Sequence, residues 1–178
     1  MATPKLVGIS GSLRGASTNT KLLYEASRLF GENEFSLLDL RFPLYSGDDE
    51  AATGVPEAVR QAAAQIAEAD AVIISTVEYN KGPSGVLKNA LDWISRVESA
   101  PWDNKPVAVM SAAAGRAGGE RAQMILRGFM VPFRTRILQG PEIHLANSSE
   151  EFDENGQLKG EMYIKELTQL MKSLREMI

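Results

Sequence analysis

The sequence predicts a doubly wound α/β fold, with one parallel five-stranded sheet and helices on both faces. Three observations lead there. Short apolar runs alternate five times with longer segments of helical periodicity, and parallel strands need such covering crossovers. One run, Ala71-Val72-Ile73-Ile74-Ser75-Thr76, is nearly continuous in apolar character, as a strand covered on both faces must be. A length of 178 residues, 44% hydrophobic and 24% charged, suits a single domain spanning 1–178 that buries a substantial core.

Each element follows from local pattern. Lys5-Leu6-Val7-Gly8-Ile9 is the first strand, and Leu22, Leu23, Ala26, Leu29 and Phe30 recur at the spacing of one helix face. Phe35 to Leu40 reads as the second strand, followed by the irregular Arg41 to Tyr45 and an acidic loop of small residues. Val55-Pro56 opens a helix, with Pro56 at its first helical position and Val59, Ala62, Ala63, Ile66 and Ala67 inward. The third strand, Ala71 to Thr76, ends in the loop Val77 to Gly85. The next helix carries Val86, Leu87, Ala90, Leu91, Trp93, Ile94 and Val97. That stripe is wider than one side of a sheet covers, so either part of it faces another subunit or Trp93 extends the core.

Lys105 to Ser111 makes the fourth strand and runs into the small-residue loop Ala112 to Glu120 and a helix. Arg134 to Leu138 is the fifth strand, Pro141 to Leu145 its extension or short partner, and Asn155-Gly156 a turn. The last helix points Met162, Leu167, Leu170, Met171, Leu174 and Ile178 inward, the methionines as core filler.

The loop Gly8 to Thr20 lies between the first strand and a helix, so it ends on a helix N-terminus. There the first backbone N–H groups lack intrahelical partners and the macrodipole is positive, which favours a phosphate. Gly11 and Gly15 let the backbone come close, Ser12, Ser17, Thr18, Asn19 and Thr20 offer donors, and Arg14 offers a planar fork. An ordinary capped turn needs one such polar residue, not five. The nucleotide-hydrolase pattern Gly-x-x-x-x-Gly-Lys-Ser/Thr is absent. So is Gly-x-Gly-x-x-Gly, although Asp39 could imitate the ribose-binding acid that accompanies it. A loop rich in hydroxyls and poor in glycine suits a terminal phosphate monoester, which favours a mononucleotide such as FMN. The loops after strands one, three and four meet beyond the carboxyl ends of the strands, where strand order reverses and ligands bind.

Composition narrows the chemistry. A net charge of −4 and a pI near 5.2 leave no basic stripe for nucleic acid. No apolar run approaches the roughly 20 residues that cross a bilayer, and the N-terminus lacks a signal-peptide apolar region. A cytoplasmic location and no membrane partner are the expectation. Without cysteine there are no disulfides, thiol nucleophiles, thiolate zinc sites or iron–sulfur clusters. The single histidine, His144, reads as a surface or edge-strand residue, no Gly-x-Ser-x-Gly elbow exists, and no metal site is expected. A bound cofactor is then the economical source of chemistry.

Several stretches carry a family resemblance. Gly11-Ser12-Leu13-Arg14 with Ser17 and Asn19, Glu78-Tyr79-Asn80, and Leu87-Lys88-Asn89-Ala90-Leu91-Asp92-Trp93 resemble the NADPH-dependent FMN reductase family of flavodoxin-like flavoproteins. Gly118-Gly119 with Arg121-Ala122-Gln123, and the late Phe152-Asp153-Glu154, extend the likeness over nearly the whole chain. Within the family the chain is most similar to the bacterial quinone, chromate and ferric reductases. The resemblance implies a flavodoxin-like three-layer sandwich whose five-stranded parallel sheet has the strand order 2-1-3-4-5.

It also implies which residues bind the cofactor. Ser10, Ser12, Arg14, Ser17, Thr18, Asn19 and Thr20 would lie around the FMN phosphate. Val77, Glu78, Tyr79, Asn80 and Lys81 would form the loop bordering the isoalloxazine, with Ser111 and Gly115 approaching its other side. Two residues depart from the family pattern. Val77 stands where Pro is usual, and Ser84 stands where Pro precedes Gly, with Pro83 one place early.

The family implies ping-pong hydride transfer from NAD(P)H to FMN and then to an acceptor, with no catalytic side chain, since FMN carries the chemistry. Quinones, azo compounds, chromate, ferric chelates and free flavin all qualify as acceptors. Arg116 could attract the phosphates of the dinucleotide or be a solvated charge, and a homodimer or dimer of dimers is expected. Three other classes share parts of this pattern. A flavodoxin-type electron carrier is usually more acidic than −4, a non-catalytic nucleotide-binding domain needs no flavin, and a dehydrogenase using Asp39 lacks its glycine pattern.

Overall fold

The computed structural model describes residues 2–178; Met1, at the head of the segment leading into the first strand, lies outside the described residues. The strands are β1 (Lys5–Ser10), β2 (Glu34–Leu37), β3 (Ala71–Thr76), β4 (Pro106–Ala112), β5 (Arg136–Ile137) and β6 (Ile143–Leu145). The helices are α1 (Thr18–Phe30), α2 (Gly47–Thr53), α3 (Glu57–Glu68), α4 (Gly85–Ile94), α5 (Glu120–Met130) and α6 (Glu161–Arg175). Every pairing between these strands is parallel, in the order β2-β1-β3-β4-β5. The expected order is therefore the observed one, with the fifth position shared. Pro106 and Val107 pair with β5 on the same edge where Met110 to Ala112 pair with β6. Pro141 lies in the break between them and has no N–H to give the ladder.

Strand alternation sorts the core into two layers. Val7, Ile9, Val72, Ile74, Val107 and Val109 face α3, α4 and α5, while Leu6, Ala71, Ile73, Ala108 and Met110 face α1 and α6. Each of the valine, leucine, isoleucine and methionine side chains among them, fully withdrawn from water, contributes about 2 kcal/mol.

Five local expectations change. The acidic loop contains α2, which Ser46 caps by accepting from the Asp49 N–H, with Asp48, Asp49 and Glu50 in its positive first turn. No α2 residue is buried, so periodicity could not reveal it. Pro56 is the N-cap of α3 rather than its first helical residue. Its ψ of 146° is non-helical, and its carbonyl accepts from Val59 and Arg60. Ala67 is exposed, outside the inward stripe of Val59, Ala62, Ala63 and Ile66. In α6, Met162 is 62% exposed because it lies about 130° around the helix from the stripe of Leu167, Leu170, Met171 and Leu174. Ile178, also exposed, lies beyond the helix end.

The wide stripe of α4 is covered by the chain itself. Trp93 is 1% exposed, its indole N–H donates to the Pro43 carbonyl at 2.8 Å, and the Tyr45 ring meets it edge-on at 5.0 Å. Trp93 therefore extends the core. Arg96 and the Tyr45 hydroxyl both bond the Glu50 carboxylate, at 3.0 and 2.9 Å, fastening α2 over this corner. The Arg96 contact, then the Tyr45 hydroxyl, holds the Glu50 pKa below its ordinary value. A carboxylate depressed in the folded state stabilises above its unfolded pKa and loses that stabilisation as pH falls through the folded one. Glu50→Gln is accordingly expected to be less stable than wild type in urea at neutral pH. The two should converge as pH falls through the depressed folded-state pKa of Glu50 and its carboxylate takes up a proton.

Candidate functional site

Because all the strands are parallel, the loops after β1, β3 and β4 emerge on one edge. They enclose a cleft of about 790 Å³ with the α1 N-terminus at its wall. The β1 loop is pulled close to the sheet at Gly11, whose N–H donates to the Ser75 carbonyl at 2.8 Å; a Cβ there would lie 3.2 Å from the Val77 nitrogen. Beyond it, Arg14 N–H donates to Ser12 Oγ at 3.3 Å, and Ser17 caps α1 by accepting from Thr20 N–H at 3.4 Å. Ser12, Arg14, Ser17, Thr18 and Asn19 all line the cleft. Arg14, Lys21, Arg116 and Arg121 line it too and, among the described residues, have no carboxylate partner.

The side chains divide into those facing the cleft and those that build it. Asn19 is buried and works as a pin: its Nδ2 donates to the Ala112 carbonyl at 2.9 Å, while its Oδ1 accepts from Ala112 N–H at 3.0 Å and Ser75 Oγ at 2.8 Å. Ser10 and Thr20 lie behind the loop, joined at 2.9 Å, in a smaller pocket shared with Leu37 to Arg41. Asp39, on the rim of that pocket, is paired with Arg41. Ser111 is wholly buried beneath the cleft, where its hydroxyl accepts from Gln123 Nε2 at 3.1 Å. Ala112 to Gly115 take the lining position expected of it.

The β3 loop closes the other side. Tyr79 and Gly82 exchange backbone hydrogen bonds of 2.9 and 3.1 Å around Asn80 and Lys81, both with positive φ, of 49° and 71°. This is the geometry of a tight primed turn, in which asparagine is a favoured residue. Val77, Glu78, Tyr79 and Lys81 line the cleft, and Asn80 projects at the turn's tip. Ser84, one of the two departures from the family pattern, caps α4 by accepting from Leu87 N–H and donates to the Gly11 carbonyl at 2.6 Å. A proline there could do neither with its side chain, so Ser84 ties this loop to the β1 loop.

The β4 loop is fixed by two glycines. Gly118 and Gly119 have φ of 59° and 91°, and a Cβ on Gly118 would meet the His144 carbonyl oxygen at 2.3 Å. His144 occupies the edge strand β6, as its sequence context suggests.

The sequence reading missed a fourth contributor, Ser148 and Ser149, which follow β6. Ser148 is buried, with its Oγ 2.9 Å from Thr18 Oγ1 in a hydrogen bond. The signal was present: two serines three and four residues beyond a strand's carboxyl end. Reading Pro141 to Leu145 as a mere partner segment hid it. Lys21 was also missed because a helix position predicts only exposure; its ammonium lies 5.6 Å from the Phe152 ring centre.

Comparison with known proteins is consistent with this geometry. The family described as NADPH-dependent FMN reductase matches residues 4–150. NAD(P)H-dependent FMN reductase PA1204 of Pseudomonas aeruginosa is 39% identical over 173 residues, covering 96% of this chain and 93% of the relative. A 2-hydroxy-1,4-benzoquinone reductase of a Burkholderia species is 36% identical over 160 residues, 88% of this chain and 86% of the relative. The solved structure of FerB, a flavoenzyme NAD(P)H:(acceptor) oxidoreductase from Paracoccus denitrificans, matches with a TM-score of 0.88 at 31% identity, covering 98% and 96% of the two chains.

Proposed function

The chain belongs to the NADPH-dependent FMN reductase family, and we infer that its cleft binds FMN by the phosphate and passes electrons from NAD(P)H to small acceptors. It is an NAD(P)H-dependent flavin oxidoreductase. The acceptors proposed are quinones, ferric chelates, chromate, azo compounds or free flavin. The observation that carries the phosphate assignment is the meeting of the α1 N-terminus, the Ser12, Ser17 and Thr18 hydroxyls, and Arg14 and Lys21, which have no carboxylate partner among the described residues, in a cleft of about 790 Å³. FMN, when bound, supplies the two-electron chemistry by accepting hydride and returning the electrons.

The protein's part is to hold and orient. Arg14 and Lys21 neutralise the phosphate while the first N–H groups of α1 donate to it. The loops Val77 to Lys81 and Ala113 to Gly119 hold the ring between them, and Arg116 and Arg121 attract the anionic dinucleotide. A single cleft serving both donor and acceptor supports a ping-pong order. Arg14→Ala is expected to weaken FMN binding about tenfold in a fluorescence-quenching titration, the worth of one charge-assisted contact. Unchanged affinity would refute Arg14 as a phosphate ligand.

We place this activity in the cytoplasm, on residues 1–178 acting as a single FMN-binding domain. No described helix is long and apolar enough to cross a membrane. We also propose a homodimer, or a dimer of such dimers, through the outer face of α5. There Met124, Ile125 and Val131 are exposed beside a groove lined by Leu91, Ile94, Phe129 and Phe133. Sedimentation at micromolar concentration should give at least twice the 19.4 kDa chain mass, and Met124→Glu with Val131→Glu should give the monomer.

A further inference from the structure

Resting on the reading of the cleft as an FMN site, we infer that Glu78 is a positioning residue that clamps together the two loops flanking the ring, by capping a helix that cannot cap itself. Helices α1, α2 and α4 each begin at a serine whose hydroxyl accepts from the first turn: Ser17, Ser46 and Ser84. Helix α5 begins at Gly119 and has no cap from its own flanking residue. Packing imposes that glycine. Its φ is 91°, and a Cβ would stand 2.9 Å from the Ser111 Cβ, which is wholly buried and pinned by Gln123. No serine, threonine or asparagine fits where the cap would come from.

The cap is drawn instead from the opposite wall of the cleft. The Ala122 N–H, in the first turn of α5, donates to Glu78 Oε2 at 3.2 Å. Glu78 belongs to the loop after β3, and its side chain is only 12% exposed. A carboxylate at a helix N-terminus also gains from the macrodipole, more so away from water. The other carboxylate oxygen lies 3.9 Å from Lys81 Nζ, on the tight turn that follows. One side chain thus gathers the β3 loop, its turn and the start of α5.

Two consequences follow for the cleft. Beyond the last β3–β4 pair, Thr76 and Ser111, the hydrogen bond from Ala122 to Glu78 helps to set the separation of its walls. The N-terminus of α5, the second one that opens here, is already taken by the chain's own anion. That leaves α1 as the end that receives a phosphate and orients the mononucleotide along the cleft.

Amide hydrogen exchange on the flavin-free protein, together with FMN fluorescence titration, tests this in wild type, Glu78→Ala and Glu78→Gln. Glu78→Ala should exchange the Ala122 amide about tenfold faster and bind FMN about tenfold more weakly, the worth of one hydrogen bond to a charged group. Glu78→Gln, whose amide oxygen still accepts, should recover most of both. Should Glu78→Ala not fold, Glu78→Asp, whose carboxylate ends one methylene short, must show both losses. Wild-type exchange and affinity in Glu78→Ala would overturn the clamp, as would a Glu78→Gln variant no better than Glu78→Ala. Failure of the wild type to bind FMN would instead refute the cleft assignment, and the exchange comparison would still decide the clamp.

Discussion

Gly118→Ala is expected to cost about 2–5 kcal/mol of stability and to abolish measurable FMN binding. The added methyl would lie 2.3 Å from the His144 carbonyl oxygen and 2.4 Å from its carbon, at a φ of 59° that alanine itself disfavours. Neither neighbour yields cheaply, because β6 is held in its ladder on β4 while Gly119 and Gln123 fix the start of α5. The loop Ala113 to Gly119 must move, and it forms one wall of the cleft. Gly115→Ala is the internal control. Nothing lies within 4 Å of its added methyl, so its stability should stay within about 0.5 kcal/mol of wild type. Urea midpoints and FMN titrations of the two variants decide the matter. A Gly118→Ala protein as stable as Gly115→Ala and binding FMN as tightly as wild type would show that the loop has freedom the structure denies it.

Asn19→Ala is expected to destabilise the flavin-free protein by about 3 kcal/mol. The substitution strips partners from the N–H and C=O of Ala112 and from the hydroxyl of Ser75, all of them buried. Asn19→Asp should be no better, since it sets a carboxylate oxygen against the Ala112 carbonyl in place of a donor. Urea unfolding without FMN separates the two roles open to this residue. A pin loses stability whether or not flavin is present, whereas a pure phosphate ligand would leave the flavin-free midpoint where it was.

Asn19 also illustrates how far a sequence carries. Its presence in a donor-rich loop at a helix start is legible, because spacing alone places that loop beyond a strand's carboxyl end. Whether its amide faces ligand or backbone is not legible, since that depends on Ala112, 93 residues away. Ser111 misleads for the same reason. Alternation in β4 decides that its hydroxyl points beneath the cleft toward Gln123, and the loop's composition does not reveal this. Strand β3 was legible because a parallel strand buried on both faces leaves a continuous apolar run, whereas the sheet order came from the family likeness. Helix α2 was not, because a cap and three acids hold it together without any apolar stripe. The choice between interface and core for Trp93 stayed open in the sequence because the Pro43 to Tyr45 segment that covers it has no periodicity of its own.

The most direct test of the oxidoreductase reading is an anaerobic titration of the FMN-loaded protein with NADPH and, separately, NADH, followed by the flavin absorbance. Complete bleaching by about one equivalent of nicotinamide, and its reversal by a quinone or ferric chelate, is the predicted result for a two-electron flavin reductase. Flavin that binds but stays oxidised in the presence of both dinucleotides would contradict it and make the protein an electron carrier.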